Sequence, residues 1–269
     1  MSDAILNRVS LLDEPSKQPL PSELTLEDHR FALIKGGISA LPFVGGVLAE
    51  EMGLLLITPL TRRRDEWWAD VARRVLDLEG KVHGFKFEDL GNNEQFVSAM
   101  IQATQSATKT HLKEKLEALR NAVLNVALGK APDPDRQQQF LMLVDRFSET
   151  HLVVLKFLNN PSRHFQTLGQ PAPQLNHVQS KMLLNVLIGQ AFPSPRKAPN
   201  DPTSTSFQFV ELVLGDLVPA HLVALERHQE TWAVPAFAIK PGGGAIGKMA
   251  NHLGEDFLTF ITEPDFQNS

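Results

Sequence analysis

Between Gly91 and Gly129 the chain contains neither glycine nor proline, and no other stretch constrains the fold so strongly. Asn92 or Asn93 can cap a helix at its start and Gly129 can end it. The second half places Leu112, Leu116, Leu119, Val123 and Val126 at alternating spacings of four and three. That is a heptad seam, so this part must pack along another helix. A single helix over Asn92–Leu128 would be about 55 Å long at 1.5 Å per residue. The Thr- and Ser-rich turn near Thr104–Thr110 is the expected place for a bend or break. The seam is also the expected contact of a homo-oligomer.

Pro132-Asp133-Pro134-Asp135 is a turn and cap signal. After it Phe140, Val144, Phe147, His151, Val154 and Leu158 form a helical stripe over Arg136–Leu158. The short connection predicts an antiparallel helical hairpin with the preceding element. His151 lies on the apolar stripe, where a hydrogen-bonded core histidine is the expected reading. Upstream, Thr61–Gly80 reads as an amphipathic helix with Trp68, Val71, Val75 and Leu78 on one face.

A second unusual segment precedes that helix. Phe31–Leu60 is apolar and broken by Gly36-Gly37, Pro42 and Gly45-Gly46, and it is followed by Arg62-Arg63-Arg64 and Trp67-Trp68. Its longest uncharged run, Gly36–Ala49, is shorter than the roughly 20 residues of a spanning helix. Glu50 and Glu51 then interrupt it. Two short apolar pieces fit a hairpin, either buried in a helical protein or inserted into a membrane. In the membrane case Leu41, Phe43, Val44, Leu54, Leu55 and Leu56 would insert. Arg62, Arg63 and Arg64 would meet anionic headgroups at about 1 kcal/mol each, and Trp67 and Trp68 would sit at the interface.

Residues 1–24, with Pro15, Pro19 and Pro21, read as an arm. Residues 25–160 form a helical domain with the central apolar hairpin, and 161–176 form a proline-containing linker. In 177–269 the pattern predicts helices at Val178–Ala191, Phe207–Leu214 and Ala220–Glu226. It then predicts a strand at Trp232–Ile239, a glycine tip at Pro241–Gly244, a strand at Ala245–Met249 and a closing helix at Ala250–Thr262. Helices followed by a glycine-tipped hairpin and a last helix suggest a small winged-helix-like domain. The expected fold class is therefore mainly α: a helical bundle plus that module.

Composition narrows the function. Lys and Arg number 26 against 31 Asp and Glu, a net charge of −5. Residues 178–269 carry six basic and nine acidic side chains, and Phe207–Val218 contains no Lys or Arg. Base readout and phosphate contacts need such groups, so nucleic acid is a disfavoured partner and a winged-helix DNA regulator the weakest alternative. Cysteine is absent, which excludes disulfides, thiolate metal sites and cysteine nucleophiles. The N-terminus shows no secretory pattern, so a cytoplasmic location is expected, with peripheral attachment at the inner membrane if the apolar segment is membrane-active.

No motif names a reaction. Gly242-Gly243-Gly244-Ala245-Ile246-Gly247 matches G-x-G-x-x-G, but too little chain follows it for a dinucleotide-binding unit, and Met249 stands where a phosphate loop needs Ser or Thr. The histidines show no H-E-x-x-H pattern, and His221 and His228 are two turns apart. The acid pairs Glu50-Glu51 and Glu255-Asp256 read as solvated charges, and no G-x-S-x-G occurs. No catalytic residue, metal or cofactor is expected.

The run Gly36–Gly46 (GGISALPFVGG) with Pro59–Trp67 (PLTRRRDEW) resembles a group of bacterial proteins similar in layout to the abortive-infection alpha type. Phe96–Leu128, with EKLEALRNA at Glu114–Ala122, and His252–Ile261 (HLGEDFLTFI) carry the same resemblance. It implies a role in phage defence and gives no catalytic residues. The expected function is a non-enzymatic defence protein acting by association, through the apolar segment at a membrane. The alternative is a soluble adaptor or oligomerisation protein whose winged-helix-like module binds a protein.

Overall fold

A computed structural model describes residues 50–175, 184–191, 205–228, 231–239 and 244–265, without the side chains of 50–58, 185, 186, 189, 190, 206 and 228. The chain divides into two compact units, 1–46 and 47–269, and every described residue belongs to the second. The expectations for the N-terminal arm, and for Leu41, Phe43 and Val44, lie outside the described residues.

The described fold is mainly helical. Helix α1 runs Glu50–Lys81, α2 Glu94–Lys109, α3 Lys113–Ala127, α4 Pro134–Arg146, α5 Glu149–Asn159 and α6 Pro161–Thr167. Helices α7 (Leu184–Ala191), α8 (Thr205–Leu217) and α9 (His252–Phe260) complete the set. Helix α1 starts eleven residues before the expected Thr61, so Met52–Leu60 and the basic, aromatic edge share one helix that contains Pro59. It would span about 48 Å at 1.5 Å per residue.

The expected long helix breaks where its hydroxyls cluster. Asn93 caps α2, its side chain accepting from Phe96 N at 3.0 Å. Thr108 donates back to Thr104 O at 2.8 Å, Thr110 turns extended, and its Oγ1 accepts Leu112 N at 3.2 Å. These local bonds offer the backbone an alternative to the helical ladder. The next expected helix also divides. Asp133 caps α4, accepting from Arg136 N at 3.0 Å, and the chain turns at Phe147-Ser148 before α5.

One core joins these elements. From α1 come Trp67, Val71, Val75 and Leu78, and from α3 Leu119, Val123 and Val126. Phe140 lies edge-on to Phe257, with ring centroids 5.3 Å apart, and Phe147 meets Phe257 at 6.4 Å. Such pairs add about 0.5–1.5 kcal/mol beyond the area they bury. The stretch expected to be a linker instead carries α6, whose Pro161 is buried and whose Phe165 belongs to this core.

Short strands follow a different scheme from the expected one. The strand β1 (Gln174–Leu175) pairs antiparallel with β4 (Gly244–Ala245), and β2 (Glu226–His228) with β3 (Thr231–Ala233). Ala236–Ala238 is a 3-10 turn rather than strand. The two arms of the expected hairpin are joined by Gly247 N donating to Ala238 O at 2.7 Å. Nor does Ala220–Glu226 form a helix. Pro219 follows α8, His221 takes a φ of 57°, and Val223 bridges Ala250. Pairing with the segment before α9 thus overrides a local helical pattern. Asn251 N donates to Leu222 O at 3.1 Å and Ala224 N to Met249 O at 3.0 Å.

Helix α9 is locked at both ends. At its start Gly254 approaches Leu222 so closely that a Cβ would lie 2.0 Å from Leu222 O. At its end two asparagines one turn apart on α3 collect the last carbonyls. Asn125 Nδ2 donates to Phe260 O and Thr262 O, both at 2.9 Å, and Asn121 Nδ2 to Ile261 O at 3.2 Å. Both asparagines are buried.

Candidate functional site

The residues singled out by sequence scatter rather than converge. Trp67 points into the core, its Nε1 donating to Thr104 Oγ1 at 3.2 Å, so it does not stand where a membrane anchor would. Trp68 is partly buried against the same core, with its Nε1 buried and unpartnered among the described residues. The sequence had assigned the buried stripe to Trp68; the helical phase gives it to Trp67. Arg62 and Arg63 are exposed and Arg64 half-buried. Arg62 pairs with Glu66 at 3.7 Å and Arg64 with Asp65 at 3.3 Å, so two of the three cations already face acids on their own helix. Leu54, Leu55 and Leu56 lie on the α1 backbone. No described helix is long and apolar enough to cross a membrane.

The heptad seam is occupied within the chain. Leu119, Val123 and Val126 are buried, Leu116 packs against the core, and Leu112 is half-buried at the start of α3. Helix α3 presents this stripe to α1, α2 and α4 of the same molecule, which corrects its assignment to an oligomer contact. Heptad spacing specifies a helical neighbour but not whether that neighbour belongs to another copy.

Two other features stand out. One is the outer face of α8, where Phe209 is 42% and Leu212 59% exposed, three residues apart and therefore adjacent. Phe237, in the 3-10 turn, is 65% exposed. The inner face of α8 is core, with Val213, Leu214 and Leu217 fully buried.

The other is a polar junction where α4, α5 and α8 meet. His151 is buried, with its ring stacked on Phe147 at 4.9 Å and 3°. Ser148 N–H donates to His151 Nδ1 at 3.1 Å, a cap of the capping-box kind with histidine in the place of Glu or Gln. Because Nδ1 accepts, the neutral ring carries its hydrogen on Nε2, which faces Asp216 Oδ2 at 3.2 Å. Asp216 also receives Arg146 at 2.8 Å. Burial holds the His151 imidazole below its ordinary pKa, against the opposing pull of Asp216. Beside it Lys115 Nζ donates to Asp145 O in the last turn of α4 at 2.8 Å, and burial pushes that amine below the usual lysine range.

Ser148, His151 and Asp216 share residue types with a hydrolytic triad, and Ser148 Oγ lies 2.7 Å from His151 Nδ1. A general base needs a free lone pair for the hydroxyl proton. Here the Nδ1 lone pair is shared with the Ser148 amide, and the ring is buried beneath Phe147. The arrangement suits capping and bracing. The sequence carries one signal for it, the Ser148-x-x-His151 spacing. Nothing in the sequence joins Asp216, 65 residues away, to this cap.

Among the described residues no group of three or more His, Asp or Glu has the arrangement of a metal site. No protein-family model, curated protein or solved structure matches the chain.

Proposed function

We propose that this protein acts by association, as a non-enzymatic effector in the phage-defence setting implied by its resemblance to abortive-infection alpha-type proteins. The observation that supports this reading is the outer face of α8. Phe209 and Leu212 form an exposed apolar pair on a helix whose other side is core. Adjacent exposed apolar side chains of this size mark interaction surfaces more often than isolated ones do. The proposed contact is with protein, first of all a second copy of this chain, and the region around α8 and α9 serves as the winged-helix-like, protein-binding module. Sedimentation velocity over a range of concentrations tests it. A mass that rises with concentration, and returns to that of the monomer in Leu212→Lys, supports the reading. A monomer at every concentration overturns it.

Peripheral attachment to the inner membrane is the second reading. It is favoured by α1, which carries the apolar run Met52–Leu60 one turn from the exposed Arg62 and Arg63. Co-flotation with anionic vesicles, lost in a triple Arg62, Arg63 and Arg64 to Ser variant, supports it. Failure of the intact protein to float counts against it.

A further inference from the structure

We propose that His151 is a proton-sensing latch: a proton on Nδ1 breaks the Ser148 cap and loosens the first turn of α5 at the α4–α5 elbow. The argument begins with bonding. A backbone N–H can only donate, so the 3.1 Å contact from Ser148 N requires a lone pair on Nδ1. A proton there sets one N–H against another. The Ser148 hydroxyl, 2.7 Å from Nδ1, can rotate and accept from it, but the amide of Ser148 cannot and loses its partner. That amide opens the first turn of α5.

The ring has no easy escape. Phe147 covers one face of it, Asp216 holds Nε2, and Phe147 is itself packed edge-on to Phe257 of α9. The charges facing it come from three helices: Asp216 on α8, Arg146 on α4 and Lys115 on α3. Asp216 favours the imidazolium, whereas Arg146, Lys115 and burial oppose it. The folded state therefore binds this proton less readily than the unfolded chain. A group of this kind leaves stability intact above its unfolded value, about 6.5, and removes it as pH falls below that. The elbow is thus tight at neutral pH and loosens in mild acid. The Nε2–H stays on Asp216 and becomes one half of an ion pair, so the contact with α8 is kept and the loosening falls on the Ser148 cap.

His151→Gln tests the latch on the full chain. Glutamine is a usual residue at this capping-box position; its carbonyl accepts from the Ser148 amide and it does not titrate. Hydrogen exchange is followed at Ser148, His151 and Leu152, whose amides are paired in this turn, between about pH 7.5 and pH 5.5, a range in which an ordinary histidine changes charge. Protection in the wild type should fall further over this range than in His151→Gln, because only the wild type takes up the proton that breaks the cap. Equal falls in the two proteins overturn the proposal. Nitrogen-15 spectra of the wild-type histidines give a readout that needs no variant. The Nε2–H tautomer of His151 at neutral pH is expected, and an Nδ1–H tautomer overturns the proposal even if His151→Gln does not fold.

Discussion

Replacing Asn125 by Ala should be among the most damaging single truncations of a polar side chain in this protein. Nδ2 of Asn125 satisfies Phe260 O and Thr262 O, both at 2.9 Å, in a site where Asn125 is 4% exposed. A carbonyl left unpaired in such a place costs about 1–3 kcal/mol. Two of them would cost about 2–6 kcal/mol, but the Thr262 carbonyl is only part-buried on an exposed residue, and fraying of the last turn of α9 lets water reach both, which lowers the upper figure. The expected loss is about 2–4 kcal/mol, a large part of an ordinary total of about 5–15 kcal/mol. With a urea m-value of about 2–3 kcal/mol/M, the unfolding midpoint should drop by about 1 M, read by far-UV circular dichroism. Asn125→Asp sharpens the test. It has the same shape but turns a carboxylate oxygen toward the carbonyls where an N–H donated, so at neutral pH it should cost more than Ala. Stability of Asn125→Asp within about 0.5 kcal/mol of the wild type would refute the reasoning, because a change away from any such feature costs no more than that.

Three further outcomes follow from the same geometry. Gly254→Ala should lower the thermal midpoint strongly and cost more than about 2 kcal/mol, since its Cβ would stand 2.0 Å from Leu222 O and both α9 and its partner segment must shift. Trp67→Phe should cost about 1–2 kcal/mol by leaving the buried Thr104 hydroxyl unpaired, and should leave vesicle co-flotation unchanged. Burial pushes the Asp145 carboxyl up, but hydrogen bonds from Ser106 and Lys109 outweigh it and hold the group below its usual value. Its stabilisation is therefore full above the unfolded value, about 3.9, and lost as pH falls through the folded one, so Asp145→Asn should flatten that part of an acid titration of stability.

Local chemistry was readable in the sequence and long-range pairing was not. Asn93 and Asp133 announce their helices because a cap bonds only three residues ahead, and the threonines near 110 announce a break for the same reason. Leu119, Val123 and Val126 announce burial, but periodicity carries no information on which helix covers them. The strand β1 comprises two residues and its partner is about seventy residues on, too short and too distant for any pattern. Ala220–Glu226 misleads outright, because its apolar residues serve a bridge to Ala250 instead of a helical face. At the polar junction, Ser148-x-x-His151 was visible as spacing, while Asp216 and Arg146 were not. Asn121 and Asn125 were a missed clue: two poor helix formers one turn apart beside an apolar seam signal buried carbonyls in need of donors.

The asparagine lock on α9 also sets a timetable for biogenesis. Asn121 and Ile261 are 140 residues apart, so at about 5–20 residues per second the two donors leave the ribosome about 7–30 s before the carbonyls they serve. Through that interval the nascent chain carries unpaired amides and the uncovered rings of Phe140 and Phe147, a surface that chaperones recognise. A product terminated before Phe257 lacks the α9 ring that packs on both, and quality-control proteases are expected to remove it.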